Sequence, residues 1–276
     1  WHFFGKKGRI VFYDTEGGSD YVAGIVKRMT GQKLIGKKTR SFSDLLALAK
    51  LLREDDICIA DSITHPWREL CDAFLLKVNE ARERKKLAPR SKLEFQDWNP
   101  IKAEWAKWTD FYLNSKTHII ICGRAGFEYE QQENEETRRK EFVKVGVKMK
   151  TESEFGFEPS LLVEFEREQD MSGEKLQMVR VATVIKDRFN ILDGKQIKFK
   201  SGLTEAKAME AVGEFFKPHL QCLSPGASTP IDTAVKTDIG FSDEGDSEYH
   251  AEKRRRTILC EEIQSEMVTA YPSQSA

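Results

Sequence analysis

The chain has 276 residues, enough for one large α/β domain with an appendage. Its 44 Lys and Arg nearly balance 45 Asp and Glu, for a net charge of −1, which argues against a protein that coats nucleic acid through bulk charge. No stretch approaches transmembrane length, and no charged-then-apolar signal pattern opens the sequence.

Cys58, Cys71, Cys122, Cys222 and Cys260 form no Cys-x-x-Cys pair, so free thiols in a cytoplasmic protein, without zinc, are expected. The first residue is Trp1 and not Met, so the chain is expected to be a fragment or a processed product.

In chain order, Arg9-Ile10-Val11-Phe12-Tyr13-Asp14 reads as a strand. It runs into Thr15-Glu16-Gly17-Gly18 and a helical segment from Asp20. Ser41-Phe42-Ser43-Asp44 resembles a capping box before a Leu-rich helix. Ile57-Cys58-Ile59-Ala60-Asp61-Ser62 is a second strand, giving a β-α-β alternation. After Pro66, Trp67, Leu70, Cys71, Phe74, Leu75 and Val78 share one helical face, and Asn99-Pro100 starts another helix with Ile101, Trp105, Trp108 and Tyr112. Residues 117–122 form a third apolar strand, followed by Gly123 and Arg124.

Residues 128–141, dense in Glu, Gln, Asn and Arg, predict a mobile loop or exposed helix. The period then changes to two through Val143–Met149, Leu161–Glu166 and Met178–Ile185, as in antiparallel strands with one wet face. Asp193-Gly194 signals a tight turn. A helix is expected from about Thr204 to Phe216, stopped by Pro218, closing a core over 1–218. Residues 219–250 predict a disordered linker and 251–276 a C-terminal helix and tail, whose Lys253–Arg256 run is a solvated basic cluster or a nucleic-acid contact.

Continuous apolar runs indicate strands buried on both faces of a parallel sheet, and ligands of such sheets bind beyond the strands' carboxyl ends. Two strands that both end in acid therefore suggest a site for Mg²⁺ and a phosphorylated ligand, or else a pair of helix caps.

These segments, over about residues 5–200, resemble the RecA-like P-loop ATPases, and in particular the phage-type AAA-domain proteins of recombination and single-strand annealing. The resemblance implies an α/β core with a mainly parallel sheet and an antiparallel extension at about 142–200, with ATP and Mg²⁺ as ligands. By it, Glu16 polarises the attacking water and Asp61 of a Walker B-like strand holds Mg²⁺ through water. Asp14, Gly17, Gly18 and Ser62 line the nucleotide, and Arg124 occupies the γ-phosphate sensor position, where the family also uses an amide. Lys186 and Arg188 fall in the extension, in a trans-acting or phosphate-contacting role. Single-stranded DNA and further copies of the chain, in a ring or filament, are the implied partners.

The Gly-Lys-Ser/Thr loop of that family has no counterpart here. Gly31–Thr39 misses it by one residue, puts Lys38 where a hydroxyl is needed and follows a helix-like segment, so it is rejected. The expectation is that this loop belongs to sequence upstream of Trp1. The alternatives are a non-hydrolysing binding module of the same fold in a DNA-processing complex, and a Mg²⁺-dependent nuclease using Asp14, Glu16 and Asp61.

Overall fold

The computed structural model describes residues 8–133, 138–170, 177–200 and 204–223. Contacts divide the chain into Trp1–Ala227 and Ser228–Ala276. The second unit, with the helix expected from 251, lies outside the described residues.

The first unit begins with β1 (Ile10–Asp14), α1 (Ser19–Thr30), β2 (Ile35–Lys38), α2 (Phe42–Ala49), β3 (Ile57–Asp61), α3 (Thr64–Arg84), α4 (Trp98–Asn114) and β4 (His118–Cys122). The four strands form one parallel sheet in the order β2-β1-β3-β4, so the three apolar runs are neighbours as expected. Ser41 caps α2 by accepting the Asp44 N–H. The rejected near-miss at Gly31–Thr39 supplies β2, an exposed edge strand whose Lys37 and Lys38 pair with Asp44 and Asp20.

Register decides which side chains meet. Tyr13, Ala60 and Ile121 lie in one row across the sheet and face a core of Phe42, Leu45, Trp105, Trp108 and Phe155. Phe42 stacks on Trp105 with centroids 5.5 Å apart, and Trp105 meets Phe155 edge-on at 5.7 Å. Truncating either buried Trp of α4 to Ala would remove about 3–5 kcal/mol. The neighbouring row turns to the other face, where Phe12 is buried but Ile120 is 52% exposed. At the amino end of the sheet, the buried Asp56 carboxylate accepts the Arg9 guanidinium and the backbone N–H groups of Arg9 and Arg53. That pairing holds Asp56 below the usual carboxylate range despite its burial. It also anchors the starts of β1 and β3 side by side.

Two antiparallel sheets follow: β5 (Ala125–Glu133) with β6 (Lys140–Met149), and β7 (Leu161–Asp170), β8 (Gln177–Asp187) and β9 (Gln196–Lys200) in that order. The switch of period is therefore a switch from parallel to antiparallel pairing. The loop or helix expected over 128–141 is corrected in its first part. Residues up to Glu133 form β5, in register with β6 from Ala125↔Met149 to Glu133↔Lys140. Its own composition hid it: the Glu and Gln of its second half show no apolar alternation, whereas β6 does, and backbone pairing does not need an apolar face in both partners. The Asp193-Gly194 turn is present, with Gly194 at φ +70°, a conformation that favours glycine.

The helix expected to stop before Pro218 continues: α5 spans Glu205–Cys222 with Pro218 inside it. Pro218 forgoes one N–H bond, but a tertiary contact holds the last turn. His219 is buried, its Nδ1 lies 2.7 Å from Asp187 Oδ1, and its Nε2 lies 3.3 Å from Ser160 Oγ. The expected linker thus does not begin at 219; residues 224–250 lie outside the described residues.

Candidate functional site

The carboxyl ends of β1, β3 and β4 fall in one register row, Asp14↔Asp61↔Cys122. Past the strands the chains stay joined. Thr15 N donates to Asp61 O at 2.7 Å, Ser62 N donates to Thr15 Oγ1 at 2.7 Å, and Ile63 N donates to Cys122 O at 2.9 Å. Glu16, Asp61 and Arg124 are thereby presented at the same edge of the sheet.

Asp14 is closed. Its Oδ1 accepts the N–H groups of Glu16, Gly17 and Gly18 at 3.1, 2.7 and 3.1 Å. Its Oδ2 accepts Ser19 N at 3.0 Å and the Ser19 hydroxyl. Burial raises its pKa, but these donors outweigh burial and bring it below the ordinary value. The turn requires Gly17 at φ +80°. The nucleotide-lining role that the resemblance gives to Asp14, Gly17 and Gly18 therefore meets a competitor inside the loop. The amides that open α1 already have an acceptor, and that acceptor is Asp14.

Asp61, half-buried, is the open counterpart. Among the described residues no hydrogen-bond donor reaches its carboxylate. A Cβ placed on Gly18 would lie 3.6 Å from its Oδ2, so the loop leaves room beside it. Burial, then the charges of Glu16 and Asp14, push its pKa up, against a smaller pull from Arg124 and His65. The Asp61–Ser62 peptide is cis. Ser62 is buried, and its hydroxyl meets no partner at hydrogen-bonding geometry. It lies near enough to the Glu16 carboxylate to help depress the pKa of that group.

Glu16 is held from two sides. Arg124 places Nε 3.1 Å and Nη2 3.0 Å from Oε1, and His65 Nε2 stands 3.1 Å from the same oxygen. Burial raises the Glu16 pKa, and Arg124, His65 and Ser62 together draw it below its usual value. Arg124 is itself set by its backbone N–H, which donates to the buried Thr64 Oγ1 at 3.0 Å. The Cys122 thiol is pushed up to about 11 by desolvation and then by Asp61 and Glu16, so it stays protonated at neutral pH.

His65 escaped sequence reasoning. The available signal was its place in the first turn of α3, directly after the strand that ends in Asp61. Lys186 and Arg188 are placed elsewhere. Lys186 Nζ and Arg188 Nη2 both donate to the Phe157 carbonyl, the latter at 3.1 Å, and no hydrogen bond or ion pair among the described residues joins them to Glu16 or Asp61.

Among the described residues, no group of three or more His, Cys, Asp or Glu is arranged to hold a metal ion by itself. Asp61 fits one role: a single carboxylate that accepts no hydrogen bond among the described residues, followed in sequence by a residue with a buried hydroxyl, Ser62. That suits Mg²⁺, which keeps several waters and takes other ligands from phosphate. The nuclease arrangement fits poorly because both Asp14 oxygens are already committed.

The fold and site together define a mixed α/β protein with a four-stranded parallel sheet, two antiparallel sheets and an acidic carboxyl edge. No protein-family model matches the chain, and no curated protein matches it in sequence. Among the described residues no helix is long and apolar enough to cross a membrane.

Proposed function

We propose that the carboxyl edge of the parallel sheet is a Mg²⁺-assisted nucleotide site, and that the chain is an ATP-binding and ATP-hydrolysing protein of RecA-like organisation. The observation that carries this reading is the pairing of two unlike carboxylates on adjacent parallel strands. Asp61 has free lone pairs, and Glu16 is ionised and held within reach of Arg124 and His65. Phosphoryl transfer asks a protein mainly for positioning and charge neutralisation. In this reading Asp61, through water, holds the Mg²⁺ that neutralises phosphate oxygens, with the Ser62 hydroxyl as a further polar group beside it. Glu16 orients the attacking water and accepts its proton. Arg124 supplies positive charge to the terminal phosphate. A role in DNA recombination or replication, single-stranded DNA as partner and self-association follow from the resemblance over about residues 5–200, and a cytoplasmic setting from the scattered cysteines.

The second reading is a non-hydrolysing binding module of the same fold. It is favoured by the lack of a Gly-Lys-Ser/Thr loop in these residues and by the salt-bridged state of Glu16. Glu16→Gln separates the two. The amide keeps size and polarity but cannot take a proton from water, so in a version that carries a Gly-Lys-Ser/Thr loop ATP binding persists while turnover falls about a hundred- to ten-thousandfold. Equal turnover in that version with and without Glu16→Gln, measured as phosphate release, would refute the catalytic assignment.

A further inference from the structure

The cations around this edge are unequally committed. Lys38, next to Asp14 in the register row, pairs with Asp20, Lys37 pairs with Asp44, and Arg40 Nε donates to the Thr15 carbonyl at 3.0 Å. Arg124 is the strong cation of the site itself. Its backbone is pinned to Thr64, while its side chain is 49% exposed and spends two N–H groups on one Glu16 oxygen. Glu16 is 35% exposed, and His65, 11% exposed, makes the second contact.

An arriving phosphate meets Asp14, Glu16 and Asp61, which repel it, and a guanidinium that is already engaged. A guanidinium fork matches phosphate as well as it matches carboxylate. The arrangement therefore permits an exchange in which one partner of Arg124 leaves as the other arrives.

We propose that Arg124 clamps Glu16 in the ligand-free site and releases it when a phosphate oxyanion takes over the guanidinium. Anion arrival and release of the carboxylate become one event. Glu16 is then free to turn to water only when there is a phosphate to attack, with His65 keeping it near the edge. This rests on the phosphate-site reading above, yet it concerns binding and not turnover.

The test is a double-mutant cycle on the full chain, titrating inorganic pyrophosphate with Mg²⁺ by calorimetry. Glu16→Gln removes the competitor for Arg124, so binding tightens by about three- to fivefold, the worth of a partly exposed ion pair. In an Arg124→Gln background the same change gives no gain, because no clamp remains to be broken. Arg124→Lys, which keeps the charge and loses the fork, retains part of the gain.

A gain of equal size in both backgrounds would show simple charge repulsion by Glu16 and overturn the proposal. No gain in either background, or no pyrophosphate binding by any variant, would also overturn it. Coupled binding without ATP turnover would leave the exchange standing and remove the ATPase reading, so the two fail separately.

Discussion

The carboxyl edge of the parallel sheet and the end of β8 both place an aspartate at a strand terminus, just before a turn. At the end of β8, Asp187 is consumed. Its Oδ1 accepts Phe189 N at 2.9 Å and faces His219, and its Oδ2 accepts Ile191 N and Leu192 N at 3.0 and 2.7 Å. Asp14 at the parallel edge is consumed in the same manner by residues 16–19. Asp61, its neighbour in the register row, receives no donor among the described residues and has its pKa raised instead of lowered. An acid at a strand end is therefore a site only where the following turn does not fold back onto it. Of Asp14, Asp61 and Asp187, two build loops and one is left for an external partner.

The largest expected effects break the closed side of that contrast. Asp187→Ala strands three backbone N–H groups and the His219 ring, and Asp14→Ala strands four N–H groups. Each should cost about 3 kcal/mol in urea unfolding, because several buried or part-buried donors would lose their acceptor at once. A loss below about 1 kcal/mol for Asp14→Ala would mean that its loop is held by other contacts. The pH dependence follows the same division. Asp14 and Asp187 have folded pKa values below their unfolded ones. Their contribution is present above the unfolded carboxylate range and is lost as pH falls through the lower folded values.

The smaller effect has the opposite sign and sharpens the contrast. Asp61 has a raised folded pKa, so the folded state holds its proton more tightly than the unfolded chain does. Stability is therefore lost as pH rises from the unfolded carboxylate value through the folded one. Asp61→Asn removes that penalty and should stabilise the protein at pH 7 by about 0.5–2 kcal/mol. The gain should vanish once pH falls below the ordinary aspartate range. A destabilised Asp61→Asn at neutral pH would show that Asp61 also serves the fold.

Much of the fold was legible because burial on both faces leaves a continuous apolar run, as in Ile10–Tyr13 and Ile57–Ala60. β2 was not legible: Ile35-Gly36-Lys37-Lys38 is an exposed edge strand without an apolar face. β5 was hidden for the related reason that its run of Glu and Gln shows no apolar alternation, while its pairing with β6 rests on backbone hydrogen bonds and on polar contacts such as Glu128 with Lys148. Pro218 misled because one buried contact from His219 to Asp187 outweighs a single missing N–H bond.

At the site, the sequence placed Glu16 and Asp61 at one edge, since strand order and direction follow from the β-α-β pattern. It did not tell Asp14 from Asp61, because the distinction lies in which backbone amides curl back to which carboxylate. His65 was invisible for a similar reason: its meaning comes from Glu16, 49 residues earlier, and not from its own neighbours.

The central claim, that Asp61 is the carboxylate left open for a metal-bound phosphate, is tested most directly by titrating ATP into the full chain with and without Mg²⁺, followed by ³¹P NMR. Without a Gly-Lys-Ser/Thr loop in these residues, binding at about the millimolar level is expected, dependent on Mg²⁺. Asp61→Asn should abolish the Mg²⁺ dependence while the protein remains at least as stable as before. Binding that is unchanged in Asp61→Asn, or indifferent to Mg²⁺ in the unmodified chain, would contradict the account.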